Sequence, residues 1–226
     1  MVSKPAKALG GGVCGAPQAA ALTWRETKAD FVRMLTLVNK SPSDELILAA
    51  ARAVLRRDGP EGVTMRAVGV QAGLSATAIY RHFAHKDALL KRVIKEEYDV
   101  FLTYVGSAAT GRRAGDRLRA TCDRYLDFAL EHPRAYQLLF VSPHGISIDR
   151  YPSDFKSGRS RGFGALRALV AECMAEGTVR DGDATDVALD LYAHMHGVVM
   201  LHQAGRFGGK QGVMRTFFRR SLARVL

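Results

Sequence analysis

The chain has 226 residues, 47% of them apolar, and its 33 Lys and Arg against 22 Asp and Glu give a formal net charge of +11. That length admits one large domain or two small ones with a sizeable core, and the moderate Gly and Pro content excludes a chain without stable structure. The basic excess is densest in the first 92 residues and suits a polyanionic partner, either nucleic acid or an acidic membrane surface.

Cys14, Cys122 and Cys173 are too widely spaced for a zinc site or a disulfide framework. They are expected to be reduced, with Cys122 and Cys173 as small core residues. No apolar run approaches the ~20 residues of a membrane span. The glycine-rich start is too weakly apolar for a signal peptide, so a cytoplasmic protein is expected.

Residues 1–22 (MVSKPAKALGGGVCGAPQAAAL) lack any period. Trp24, Phe31, Leu35 and Val38 allow a weak helix over 23–39. Residues 1–40 are expected to be a disordered basic leader, and Met34 offers a second start that would leave it outside the native protein. A minor-groove arm through Lys4 and Lys7 is the alternative.

The stretch 41–59 (SPSDELILAAARAVLRRDG) predicts the first strong helix, with Ser43 as N-cap and Asp44 and Glu45 favouring the dipole. Ile47, Ala50 and Val54 share a face, and Gly59-Pro60 stops it. Thr64 caps a second helix, lined by Met65, Val68, Gly69 and Ala72 and ended by Gly73. Ser75 caps a third that reaches Phe83. A fourth runs from Lys86-Asp87 to about Val105. Helical segments then follow at roughly 115–131, 133–141, 160–176, 184–206 and 210–224, with a long loop over 142–160. No alternation of strand length occurs. The fold class is all-α, in three parts: leader 1–40, helix-turn-helix domain 41–92, and a larger helical domain 93–226.

The third helix is too short to stand alone, because nucleation is costly. On a helical wheel centred on Ile79, Phe83 falls about 40° away and Ala76 about 60° away, which marks the side to be buried. Thr77 and Arg81 lie opposite, while Tyr80 and His82 sit on the two shoulders. Such a helix can offer polar groups to base edges and its shoulders to phosphates. Gly69 permits a close crossing of the second and third helices, and Gly73 a tight turn between them. Lys86 opens a helix, where a cation is disfavoured by about 0.3–1 kcal/mol, unless a phosphate docks there. Thr64, Tyr80, His82 and Lys86 thus form a candidate phosphate clamp, and Ser75, Ala76, Thr77 and Arg81 complete the DNA-facing set. Arg81 can read a guanine or hold another phosphate.

From Ile47 to Leu90, and most closely over TMRAVGVQAGLSATAIYRHFAHKDALL, the sequence resembles the DNA-binding signature of TetR-family transcriptional regulators. The Ala72-Gly73-Leu74-Ser75 turn, the Tyr80-x-His82-Phe83 run and Lys86 carry the resemblance. Gly69 departs from it, standing where Ala is usual. Thr77-Ala78 also departs, so an operator is not inherited from relatives. The resemblance implies backbone contacts from Tyr80, His82 and Lys86, and a helical effector-binding and dimerisation domain after residue 93. YLDFALEHPRAYQLLF (125–140) and LYAHMHGVVMLHQAGRF (191–207) resemble a subgroup with a Trp-His-Gly-type triplet, here Met195-His196-Gly197.

Phe128, Tyr136, Phe140 and Met195 are candidate lining residues for an apolar effector cavity, with His196 as polar anchor. His194, His196 and His202 have the wrong angular spacing to share a metal. No phosphate-binding loop, dinucleotide fingerprint or nucleophile elbow occurs, so neither enzyme activity nor a cofactor or metal is expected. Ala193, Gly197, Val198, Leu201, Val213 and Phe217 on the last two helices are expected to form a homodimer seam. The expected function is a ligand-responsive repressor that binds a pseudo-palindromic operator on double-stranded DNA as a homodimer. The alternative is a low-specificity architectural DNA-binding protein without a ligand.

Overall fold

The computed structural model describes residues 42–108, 113–143, 145 and 160–226. Residues 1–40, where a leader and a weak helix were expected, Cys14 among them, and most of the expected 142–160 loop lie outside the described residues. Among those described there are nine α-helices, one 3₁₀ turn and no strand.

Helix α1 (Pro42–Asp58) starts with proline, whose missing N–H costs nothing in the first turn. Ser43 therefore sits inside the helix and is not its N-cap, a correction to the sequence reading. Asp44 and Glu45 in the first turn, and Arg56 and Arg57 in the last, match the dipole. Ile47, Leu48, Ala51, Val54 and Leu55 are buried. Gly59, at φ 78°, ends α1 by donating its N–H to Leu55 O at 2.9 Å and leads into a 3₁₀ turn, Pro60–Gly62.

Helix α2 (Met65–Ala72) is capped by Thr64, and Gly73 at φ 68° ends it. Helix α3 (Ala76–His82) is capped by Ser75. Phe83 follows in extended conformation rather than inside the helix, yet is buried. Helix α4 (Lys86–Gly106) serves two cores. Leu89, Leu90 and Val93 join the cluster formed by α1–α3, while Phe101 joins a second and larger cluster. Glu97, only 3% exposed, accepts from Arg52 Nε of α1 at 2.7 Å. A carboxylate this deep requires such a partner.

Helices α5 (Ala114–Glu131), α6 (Pro133–Phe140), α7 (Arg161–Ala175), α8 (Ala184–Gln203) and α9 (Gln211–Val225) enclose the larger core. In it α5 packs on α4 and α7, and α8 on α7 and α9. Cys122 and Cys173 are buried and free; burial pushes the Cys122 thiol far above its ordinary value. Helix α8 ends at Gln203, not near residue 206, because Gly205 takes φ 76° and Arg206 N–H closes the turn on Leu201 O at 2.9 Å. Leu138 of α6 is fully buried in the cluster that α1–α3 form, so a residue far along the chain completes the small amino-terminal core.

Candidate nucleic-acid interface

Ile79 is wholly buried and holds α3 against α1 and α2. Burying it and Phe83 contributes about 1.5–3 kcal/mol each. Gly69 makes the crossing possible. A Cβ there would lie 2.9 Å from Leu74 O and 3.5 Å from Ala76 N, both backbone atoms. This also corrects the wheel at Ala76. It meets α2 through its nitrogen, and its methyl is exposed, so the buried side of α3 is narrower than predicted, with Ala78 half-buried instead.

Thr77, Tyr80 and Arg81 are exposed, Tyr80 at 53%, and none of the three has a side-chain partner among the described residues. Thr64 Oγ1 accepts from Ala67 N–H and Ser75 Oγ from Ala78 N–H, each at 3.1 Å. Each cap uses an oxygen lone pair and leaves the hydroxyl hydrogen to be donated outward. Lys86 is half-buried at the start of α4. There the cap is His85, whose Nδ1 accepts from Ala88 N–H at 3.2 Å. His82 stands apart from the other predicted contacts, since its Nδ1 lies 2.8 Å from Asp44 Oδ1 and ties α3 to the first turn of α1. Only its other ring nitrogen is left to face outward.

Two basic residues escaped the sequence reading. Arg66, in the first turn of α2, and Lys91, on α4, are exposed and without an ion pair among the described residues. The signal was available for Arg66, which follows the cap Thr64 by two residues. A motif search weighted toward the third helix passes over it.

The five predicted effector residues separate into two groups. Phe128, Tyr136 and Met195 are sealed in the core, whereas Phe140 and His196 are half-buried. Tyr136 stacks on His196 with ring centroids 5.7 Å apart and packs on Phe140 at 5.0 Å. Phe128 lies instead against Phe101 and Tyr104. The three histidines of α8 face different partners: His194 Nε2 lies 2.9 Å from Ser221 Oγ, His196 Nδ1 meets Tyr136, and His202 packs on Phe207. No cluster of three metal-ligating side chains occurs among the described residues. Of the expected seam, Leu201 and Val213 are 48% and 55% exposed, Ala193 is exposed, and Gly197 borders open space. Val198, at 3%, points into its own core, a correction to the sequence reading.

The helix-turn-helix of α2 and α3 is matched, over residues 47–93, by the family model described as bacterial regulatory proteins, tetR family. Residues 118–225 match the tetracyclin repressor-like C-terminal domain. The chain belongs to the TetR family of transcriptional regulators. As a TetR-family protein it is a DNA-binding transcription factor and not an enzyme. It is 26% identical over 164 residues to an HTH-type transcriptional regulator of Mycobacterium tuberculosis, covering 72% of this chain and 71% of the other. It is 23% identical over 177 residues to the nucleoid occlusion factor SlmA of Serratia proteamaculans, covering 75% and 87%. Among solved structures, a protein of Rhodococcus sp. RHA1 superimposes with a TM-score of 0.65 at 23% identity, covering 84% of this regulator and 98% of that chain. A TetR-family transcription regulator of Shewanella sp. PV-4 gives 0.60 at 15%, covering 81% and 97%. No helix among the described residues of the regulator is long and apolar enough to cross a membrane.

Proposed function

We propose that this TetR-family protein is a cytoplasmic, ligand-responsive repressor that binds a pseudo-palindromic operator as a homodimer. The observation that carries the reading is the front of α3, where Thr77, Tyr80 and Arg81 are exposed and have no side-chain partner among the described residues, while Ile79 is buried behind them. Thr77 and Arg81 read base edges. Ser75 and Ala76 bring the helix start close to the duplex. Thr64, Tyr80, Lys86 and the free ring nitrogen of His82 hold phosphates, and Arg66 extends that clamp. The second copy docks on the exposed face of α8 and α9, where Leu201 and Val213 lie with the half-buried Phe217. The two reading helices then address half-sites about 34–36 Å apart. An effector that prefers the non-binding spacing lowers the bound fraction.

The likeness to a nucleoid occlusion factor favours one second reading, a low-specificity architectural DNA-binding protein. Selection of duplexes from a random pool by the purified protein separates the two. A repressor enriches one two-fold symmetric sequence, bound by two chains. An architectural protein enriches none.

A further inference from the structure

Tyr125 of α5, Tyr136 of α6 and His196 of α8 form a file of polar atoms through an apolar interior. The two phenolic oxygens are 2.8 Å apart, and the Tyr136 oxygen is 2.6 Å from His196 Nδ1. Tyr125 is 3% exposed and Tyr136 0%. Among the described residues the Tyr125 hydroxyl has Tyr136 as its one partner. A buried O–H without an acceptor is costly, so Tyr125 donates to Tyr136. Tyr136 then sends its own hydrogen to Nδ1. A neutral imidazole that accepts at Nδ1 carries its proton on Nε2. Running the file the other way would strand the Tyr125 hydrogen in the core. Burial also holds the His196 pKa below its ordinary value, in keeping with a neutral ring. The Nε2–H that results has no acceptor among the described residues.

A second donor lies on the same face of α8. His196, Met200 and Gln203 follow the i, i+4, i+7 spacing, and Gln203 Nε2 is buried without an acceptor among the described residues. Gln203 and Met200 line a hollow of about 180 Å³ with Gln137 and Val141, and Glu61 stands in its wall. The two donors are about 10 Å apart along the helix axis, with the Met200 thioether between them.

Resting on the effector-responsive reading above, we propose that the effector is an uncharged, apolar molecule whose carbonyl-type oxygen accepts from His196 Nε2–H while its hydrocarbon part lies over Met200 toward the hollow. At the His196 end a cation meets an N–H donor and finds no acceptor in the file. A carboxylate held at His196 would favour a second proton on the ring. That proton could enter only at Nδ1, which is already occupied, and doing so would reverse the whole file. A neutral acceptor satisfies the donor and leaves the file intact.

Two experiments on the full chain test this. In long-range ¹H–¹⁵N spectra of protein labelled at histidine, the signals lost in His196→Gln should report the Nε2–H form; the Nδ1–H form overturns the proposal. In calorimetric titrations with 2-nonanone, nonanoate and nonylamine, the ketone should bind at least about tenfold more tightly than either ion. His196→Phe and Tyr136→Phe should each weaken it about tenfold, the loss expected for one hydrogen bond, and His196→Gln, which keeps a donor, should weaken it less. A ketone that does not bind, an ion that binds equally well, or a ketone indifferent to His196→Phe overturns the proposal. Operator affinity measured alongside separates the two claims. An amine or acid that releases DNA sinks the ligand class but keeps a responsive repressor. A ketone that binds without changing operator affinity keeps the site and sinks the responsive reading.

Discussion

The front of α3 and the interior shared by α5, α6 and α8 use the same residue types to opposite ends. On α3, Tyr80 and Arg81 stand in solvent and bond to nothing among the described residues. In the larger core, Tyr125 and Tyr136 are sealed and bond to one another, and Tyr136 also bonds to His196. Two of the four arginines of α9 are paired as well, Arg215 with Asp127 at 2.6 Å and Arg219 with Asp123 at 3.0 Å. In the proposed function a duplex supplies acceptors from outside, so a reading helix must keep its donors free. A closed core has no such supply, and most of its polar atoms satisfy each other. Unpaired basic and aromatic groups over a buried anchor are therefore informative, whereas their number in the sequence is not.

The contrast can be broken most severely from behind. Ile79→Ala removes the one fully buried side chain of α3 and should cost about 2–5 kcal/mol, with operator binding lost; denaturant unfolding measures it. Gly69→Ala is expected to cost about 1–3 kcal/mol by forcing Leu74 O away, more than the gain of up to ~1 kcal/mol in helix propensity. A stabilised Gly69→Ala protein would show that the crossing is not limiting. Arg81→Ala should leave unfolding unchanged and weaken operator binding by about 1–3 kcal/mol. Loss of discrimination at one base pair assigns it to base reading, and a uniform loss assigns it to phosphate. Lys86→Ala should lower the slope of log affinity against log salt by about 1, the same for every duplex, as measured by fluorescence anisotropy.

The smallest effect concerns pH and the interior alone. Burial lowers the pKa of His196, and of His194, where Arg224 adds to it. Below the ordinary histidine value the unfolded chain then binds protons that the folded chain refuses. Their contribution is complete above about pH 6.5 and fades as the pH falls toward the folded values. Thermal unfolding midpoints should drop on acidification through that range, and less so in His196→Gln.

Much of the α3 site was legible in the sequence because its rules are local. Thr64 and Ser75 cap as predicted, Gly73 takes the left-handed turn, and the 100° step places Ile79 inside and Arg81 outside. The misses arise where a neighbouring element intervenes. Ala76 is exposed because only its backbone fits against Gly69, and His82 is tied to Asp44 by a contact spanning 38 residues. Val198 and Leu201 looked equivalent by composition, but the packing of α8 on α7 and α9 turned one inward and left the other half-exposed.

The sequence by itself determined which segments are helices, where most of them begin and end, and which face of α3 is apolar. Caps, breakers and apolar periodicity act within a turn or two of chain. Only the tertiary structure decided that Leu138 completes the amino-terminal core, that Glu97 is buried against Arg52, and that Tyr125, Tyr136 and His196 meet in one file of polar atoms. Those outcomes depend on atoms brought together across 11 to 60 positions in the cases of Tyr125–Tyr136 and Tyr136–His196, and no local rule specifies which distant side chain fills a given gap.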